Sequence, residues 1–254
     1  MLVFIAALQR EIESFDTFVK IDQVQRTGSA VFTEGRYEDE AVVLVQSGIG
    51  MEHSARATRA ALDRYRPDLV VSIGFCGALS PDIKGGELLV PDCVMSRDET
   101  GTLEEIPTDS ELREASVHAL TERSLPVHRG SHVSDRSVTS GPTAKARLAS
   151  LTGADATDME SYWVGKEAEE AGVRFLAVHA ASDEAALSLP DYDRFLDDMG
   201  GVRPLSAVWY YLTHPWHIAA APTLAANARV AGRNLAVFGE LFLNKVYRAL
   251  PAHR

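Results

Sequence analysis

The sequence contains few cysteines, and neither suggests a metal or disulfide framework. Cys76 and Cys93 each lie in an apolar run that is typical of a buried strand or its end, and their spacing matches no metal-binding motif. Both are therefore predicted to be free thiols in a reducing compartment. The sequence predicts no metal site and no cofactor.

Long apolar runs are also missing. No stretch approaches the roughly 18 apolar residues that a membrane-spanning helix needs. The apolar run at residues 2–8 has no basic segment before it and no small-residue cleavage site after it, which is typical of a strand and not of a signal peptide. We therefore predict a cytoplasmic protein.

Basic residues are in deficit, with a formal net charge of −11. This charge argues against a nucleic-acid partner, which would require a basic face. The deficit is uneven, because residues 200–254 carry six basic residues and one acidic residue. That segment is therefore +5, which leaves −16 for residues 1–199.

Continuous apolar, β-branched runs alternate with helix-like segments along the first 182 residues. Such runs are typical of strands covered on both faces. The predicted strands are 2–8, 41–48, 69–75, 87–94 and 174–182, and the predicted helices are 52–65, 110–123, 142–150 and 159–171. Residues 29–45 have the alternation of a hairpin. The alternation predicts an α/β fold with three α/β/α layers and a mixed, mostly parallel central sheet.

Three carboxylates follow predicted strands or begin a helix: Glu11, Glu160 and Asp183. Each has an ordinary explanation when taken singly, because acidic residues suit helix N-termini and Ser182 and Asp183 could cap a turn. Ligands in such sheets bind at the carboxyl ends of the strands. Three carboxylates converging there would suit cleavage of a glycosidic bond, with one as acid, one as base and one on the sugar.

A glycine-rich segment, "SGIG" at 47–50, follows the second long strand. Its glycines permit close approach of a ligand to a helix N-terminus, although a plain tight turn explains them equally well. The G-x-G-x-x-G spacing of dinucleotide sites is not present.

Five segments, taken in order, resemble the nucleoside phosphorylase and nucleosidase superfamily, in particular methylthioadenosine/S-adenosylhomocysteine nucleosidases. They are "IAALQREIES", "VVLVQSGIGMEHSARAT", "RPDLVVSIGFCGALSPDIKGGELLVPD", "ATDMESYWVGKEAEEAGVRFLAVHAASDEA" and "LPDYDRFLDDMG". The resemblance covers about 200 residues and implies a nucleoside phosphorylase-like domain over 1–199.

The resemblance also implies a role for each matching residue. Glu11 would activate the water nucleophile, and Asp183, beside Ser182, would protonate purine N7. Met159 would pack on the ribose while Glu160 binds its hydroxyls. The base and nucleophile pocket would consist of Ser47, Gly48, Gly50, Phe75, Gly77, Val138, His179 and Ser182.

The sequence departs from the family pattern at the nucleophile. Phosphorylases hold phosphate with an arginine and a serine where this chain has Ser72 and Phe75, so hydrolysis is favoured over phosphorolysis. Nucleosidases usually carry an arginine where His179 stands and an aromatic residue where Val138 stands. In the same segment as Val138, His132, Asp135 and Arg136 are interpreted equally well as solvated loop residues or as ligands.

Residues 200–254 are interpreted as an amphipathic helical extension packed on the domain, with two helices broken at Pro215 and Pro222. Leu224, Ala228, Ala231, Leu235, Phe238, Phe242 and Lys245 follow a 3–4 spacing. The apolar stripe fits a helix packed on the body or on a partner subunit. It also fits a basic cover that contacts a membrane surface or admits a lipid substrate. The second interpretation resembles the hopanoid-associated branch, which releases adenine from adenosylhopane.

The sequence therefore predicts a purine nucleosidase that acts on a 5′-modified adenosine. A phosphorylase, or a nucleoside- or lipid-binding protein without catalysis, remains as the alternative. The family resemblance also implies a homo-oligomer, either a dimer or a hexamer.

Overall fold

The computed structural model describes residues 1–250 except 99, 192, 193, 195, 196, 198, 200, 202 and 215–219. The strands are β1 Leu2–Ala6, β2 Lys20–Thr27, β3 Ala30–Tyr37, β4 Glu40–Gln46, β5 Leu69–Ala78, β6 Leu88–Leu89, β7 Cys93–Arg97, β8 Leu103–Pro107, β9 Val127–His128, β10 Ser131–Ser134, β11 Ala156–Asp158 and β12 Arg174–Asp183. The helices are α1 Gln9–Ile12, α2 Met51–Tyr65, α3 Ser110–Glu122, α4 Pro142–Thr152, α5 Ser161–Glu170, α6 Pro204–Thr213 and α7 Ala221–Leu241.

All described strands join one sheet, and β5 is its central strand. The order is β2-β3-β4-β1-β5-β11-β10-β7-β8, with β12 also paired to β5 and β6 paired to β12 and β9. Strands β4, β1, β5 and β12 run parallel to one another, whereas β11 pairs antiparallel with the end of β5. The carboxyl ends of the parallel strands therefore meet at one edge, and β11 brings Asp158 to it.

Helices cover both faces because side chains of the buried strands alternate between two cores. Leu2, Phe4 and Ala6 of β1 join a cluster with α3 and α7, whereas Val3 and Ile5 join one with α2 and α5. The predicted three-layer, mostly parallel architecture is confirmed.

The structure corrects the predicted strand at 87–94. This segment forms two short strands, β6 and β7, separated by Val90–Asp92. Pro91 lacks an N–H donor and cannot continue a ladder in the middle of a sheet. The predicted hairpin is confirmed as the antiparallel pair β3–β4. Strands β2, β8, β9, β10 and β11 were not predicted.

Helix α7 belongs to the same core as the sheet. Its apolar stripe buries Ala231, Leu235 and Phe238 beside β1, β5 and β12. The turn at Gly85 and Gly86 allows α7 to pack closely against the chain. A Cβ on Gly86 would lie only 2.4 Å from Cγ1 of Val230 in α7. Gly86 also has φ +88°, a region that favours glycine.

The predicted break at Pro222 is confirmed, since Pro222 occupies the first turn of α7. Pro215 lies outside the described residues, as do 198, 200 and 202 beside the predicted domain boundary at 199/200. That boundary stays a prediction. Among the described helices, none is both long and apolar enough to cross a membrane.

Candidate active site

A cavity of about 360 Å³ opens at the carboxyl ends of the parallel strands. It brings together residues from α1, β5, β11, β12 and the β10–α4 loop. The sequence-predicted residues that line it are Glu11, Phe75, Gly77, Val138, Met159, Glu160, Ser182 and Asp183. The three carboxylates therefore share one pocket, large enough for a nucleoside.

Glu11 lies in the short helix α1, directly after β1, and is almost fully buried. Its two oxygens accept hydrogen bonds from the backbone N–H groups of Leu8 (2.7 Å) and Phe75 (2.8 Å). Burial raises the pKa of Glu11 to about 7, although these two hydrogen bonds act in the opposite direction. A carboxyl group with this pKa can accept a proton near neutral pH.

Glu160 lies at the start of α5 and is held by the glycine turn after β4. Its oxygens accept from the N–H of Gly50 (2.6 Å) and from the N–H of Met159 (3.1 Å). Burial, with the negative charge of Asp158 nearby, raises the pKa of Glu160 well above its ordinary value. Ser47 is buried in the same turn, and the N–H of Gly48 donates to Ala7 O, so Gly48 shapes the turn without lining the cavity.

We expect Gly50→Ala to lower the free energy of unfolding by about 1–3 kcal/mol and to weaken substrate binding. Gly50 has φ +93° and ψ 169°, a conformation that is strained for any residue with a Cβ. Space is not the obstacle, because the nearest atom to such a Cβ is Met159 Cε at 3.9 Å. Relaxation of the strain would move the N–H away from Glu160.

Thermal melts and KM values would measure both effects. Gly141→Ala is a matched control, because Gly141 also precedes a helix but has φ −129°. An unchanged KM in Gly50→Ala would contradict the expectation that the Gly50 N–H holds Glu160 in position for the substrate.

Asp183 ends β12 opposite Gly77 of β5. It is buried, and its Oδ1 accepts from Ser182 Oγ at 2.9 Å. Its Oδ2 accepts from the ammonium of Lys145, a fully buried residue of α4. Burial raises the pKa of Asp183, and the charge of Lys145 opposes that rise.

Sequence reasoning missed Lys145, although a signal was present. Lys145, Leu148 and Thr152 are the buried residues of α4, so the lysine lies on the apolar face at helical spacing. A lysine is rarely fully buried unless it is paired.

Beneath the cavity, Asp158 contacts two buried histidines. His132 Nε2 lies 3.3 Å from Asp158 Oδ1, and His179 Nε2 lies 3.4 Å from Oδ2. Asp158 also accepts from the N–H of Ser161 (2.9 Å), the first residue of α5. His132 is thus a core residue of β10 and not a solvated loop residue.

The same three side chains form a cluster of the kind that can hold a metal ion. The ligand atoms of His132, Asp158 and His179 all lie within 4.8 Å of one another, a separation that a metal ion could bridge. Burial, together with the charge of His132, lowers the pKa of His179 to about 3, so the imidazole is neutral near pH 7. A neutral imidazole is the form that can bind a metal ion.

A second, smaller cavity of about 10 Å³ lies between Glu11, Glu160 and His179. Ser47, Ser72 and Phe75 complete its polar and aromatic wall. Its volume is about the minimum for one water molecule. Among the described residues that line it, none is a lysine or an arginine.

Helix α7 forms the apolar side of the large cavity, which the sequence did not predict as part of the base or ribose site. The α7 residues that line it are Ala221, Leu224, Ala225 and Ala228. Leu189 and Pro190, which follow β12, continue the same wall.

A family model described as the phosphorylase superfamily matches residues 2–200. The chain belongs to this superfamily. It is 26% identical over 198 residues to a 5′-methylthioadenosine/S-adenosylhomocysteine nucleosidase of Staphylococcus saprophyticus, covering 73% of this chain and 87% of that protein. The enzyme of the same name from Bacillus subtilis is 26% identical over 214 residues, covering 77% and 91%.

Solved structures share the fold. The 5′-methylthioadenosine/S-adenosylhomocysteine nucleosidase of Neisseria meningitidis, in complex with methylthio-immucillin-A, has a TM-score of 0.77 at 19% identity and covers 96% of this chain and 99% of that one. A futalosine hydrolase of Helicobacter pylori has a TM-score of 0.75 at 20% identity, covering 96% and 99%. The comparisons support an N-glycosidic bond hydrolase, as the sequence predicts.

Proposed function

We propose that this protein hydrolyses the N-glycosidic bond of a 5′-substituted adenosine and releases adenine. The observation that carries the proposal is the water-sized cavity between Glu11 and Glu160, directly beside the larger pocket. Ribose above Met159 and Glu160 would place C1′ towards this water, with the base towards Asp183.

The chemistry divides among the three carboxylates. Glu11 takes a proton from the water as its oxygen attacks C1′. Glu160 accepts hydrogen bonds from ribose hydroxyls as positive charge develops on the ring. Asp183 protonates N7, so that adenine leaves as a neutral base and not as an anion.

The negative charge around the small cavity and its small volume both favour hydrolysis over phosphorolysis. A phosphate dianion at the nucleophile position would face Glu11, Asp158 and Glu160 in a cavity of about 10 Å³. No described residue lining that cavity supplies a formal cation, and His179 is neutral near pH 7. An uncompensated buried dianion is strongly disfavoured.

Chromatography of adenine and sugar products, with and without phosphate, tests the activity over a panel of 5′-substituted adenosines. We expect adenine and free sugar at a rate that is independent of phosphate. A 5′-substituted ribose 1-phosphate as a product would overturn the hydrolytic mechanism. Tight nucleoside binding without any adenine release would favour the non-catalytic alternative.

The proposal extends to an apolar 5′ substituent, supported by the α7 wall of Ala221, Leu224, Ala225 and Ala228. Adenosylhopane is one nucleoside of this class. Among 5′-alkylthioadenosines, we expect kcat/KM to rise with chain length, because each buried CH₂ contributes about 0.8 kcal/mol.

We expect Ala228→Phe to reduce kcat/KM for a long 5′-alkyl substrate by about tenfold or more while leaving the methylthio substrate within about threefold. The larger side chain would occupy the apolar end of the cavity. Ala226→Phe is the matched control, because Ala226 is exposed on the same helix and does not line the cavity. Equal losses for both substrates would contradict this position for the 5′ group.

Contact with a lipid surface is supported by α6, where Trp209 is 70% exposed, and by the basic excess of residues 200–254. We expect the protein to co-sediment with anionic vesicles. The vesicle-bound fraction should fall at high salt and in the Trp209→Ala variant. Sedimentation of the free protein would test the proposed homo-oligomer. A vesicle-bound fraction unchanged in Trp209→Ala would contradict the role of α6.

A further inference from the structure

The three site carboxylates differ in the partners that hold them. Glu11 and Glu160 accept hydrogen bonds from backbone N–H groups. Asp183 is the one of the three that contacts a cationic side chain within the described part of the chain, namely Lys145. Asp183, the proposed general acid, is therefore in direct contact with a group that can supply a proton.

The position of Lys145 is unfavourable apart from this contact. Lys145 lies in the first turns of α4, where its N–H donates to Gly141 O, and a cation there opposes the helix dipole. Its side chain is fully buried, which costs free energy unless the charge is paired. Its Nζ donates to Asp183 Oδ2 and to Glu184 O (2.7 Å), and these contacts offset the cost.

We propose that Lys145 is a positioning residue that holds the proton which Asp183 delivers to the leaving base. This inference rests on the proposed function. In a desolvated site an ammonium and a carboxylate can exchange for a neutral amine and a carboxylic acid, because separated charges are disfavoured there. The contact at Oδ2 provides the route for that exchange.

The proton balance closes over one turnover. As the C1′–N9 bond breaks, its electron pair moves to the base, N7 takes a proton from Asp183, and Asp183 takes one from Lys145. The water oxygen bonds to C1′ and its proton passes to Glu11. When adenine leaves, Glu11 returns a proton to solvent, and Lys145 regains one through Asp183, which lines the open cavity.

Leaving-group dependence separates this role from a structural one. Lys145→Met removes the amine but keeps much of the side-chain volume. We expect it to lower kcat for adenine release by about 10²-fold or more, with KM within about threefold. For the 4-nitrophenyl riboside with the same 5′ group, we expect a loss below about fivefold, because nitrophenolate departs without a proton.

Three further variants make the comparison specific. Lys145→Arg keeps the charge but has a guanidinium that does not release its proton, so we expect it to stay as impaired as Lys145→Met. Glu160→Gln should lower the rate for both substrates, because both present the same ribose to Glu160 whichever group leaves. Lys166→Met removes an ion pair with Glu104 outside the site and should slow neither.

The pH profile of adenine release gives a second readout. The groups facing the Lys145–Asp183 pair are Cys76 on β5, Ser182 on β12 and the Glu184 carbonyl. Without Lys145 the proton must reside on Asp183 alone, so the fall of kcat at alkaline pH should move to lower pH.

Equal losses on both riboside substrates, recovery of adenine release in Lys145→Arg to within threefold, or an unshifted alkaline limb would each overturn the inference. Thermal melts show whether Lys145→Met has unfolded. If it has, the activity of Lys145→Arg decides whether the inference holds. Failure of the wild-type protein to release adenine from any nucleoside would instead overturn the proposed function, and this inference with it.

Discussion

Replacing Glu11 by Gln is expected to lower kcat/KM for adenine release by about 10²–10⁴-fold, because the amide cannot accept the proton of the attacking water. In the wild-type protein, kcat/KM should fall as the pH drops below about 7, since the pKa of Glu11 is raised to about 7 and the base must be ionised. Chromatographic measurement of adenine release against pH checks both. A profile that stays flat down to pH 5 would show that another group is the base.

The same substitution is expected to stabilise the protein at alkaline pH. A carboxyl whose pKa rises on folding contributes stability below its unfolded pKa of about 4.5, and this contribution is lost as the pH rises through about 7. The shift corresponds to about 3 kcal/mol at pH 8. The Glu11→Gln variant would avoid that loss but leave one backbone N–H without an acceptor, at about 1 kcal/mol.

We therefore expect Glu11→Gln to raise the free energy of unfolding by about 2 kcal/mol at pH 8 and to leave it nearly unchanged at pH 5. Denaturant unfolding at the two pH values measures the difference. Glu13→Gln is a suitable control, because Glu13 is exposed beside the site. An equal effect of Glu11→Gln at both pH values would contradict the raised pKa.

The second large effect is expected from Asp183→Asn. It should lower kcat by about 10²–10⁴-fold with little change in KM, because the proton donor is lost while the base still fits. It should also destabilise the protein by about 3–5 kcal/mol, since Lys145 remains buried opposite a neutral amide.

The double variant Asp183→Asn with Lys145→Met separates these two effects. Without the unpaired ammonium, much of the lost stability should return, whereas activity should not. Thermal melts and single-turnover assays on the single and double variants give the comparison. Recovery of activity together with stability would show that Asp183 acts through folding alone.

Several features of the site followed from sequence because local chemistry carries them. Acidic residues near the carboxyl ends of buried strands are expected at that edge of a parallel sheet, and Glu11 and Asp183 both line the cavity there. These inferences need only the strand and helix periods.

Other features could not be predicted, because they depend on contacts between distant segments. Lys145 and Asp183 are 38 residues apart. The pairing of β10 with β11 brings His132 to Asp158, and neither short strand has an apolar run that would identify it. The local sequence explains why Lys145 lies in a helix and His132 in a strand. Their contacts with Asp183 and Asp158 are set by the packing of distant segments.

The sequence by itself determined the alternation of strands and helices, the edge of the sheet where the cavity opens and the carboxylates found there, because these depend on side-chain period and on residue type. The tertiary structure alone decided that α7 forms the apolar wall of the cavity, that a water-sized space lies between Glu11 and Glu160, and that Asp183 contacts a buried lysine. Distances and desolvation are properties of the packed molecule, since they arise where segments remote in the chain exclude water from one another.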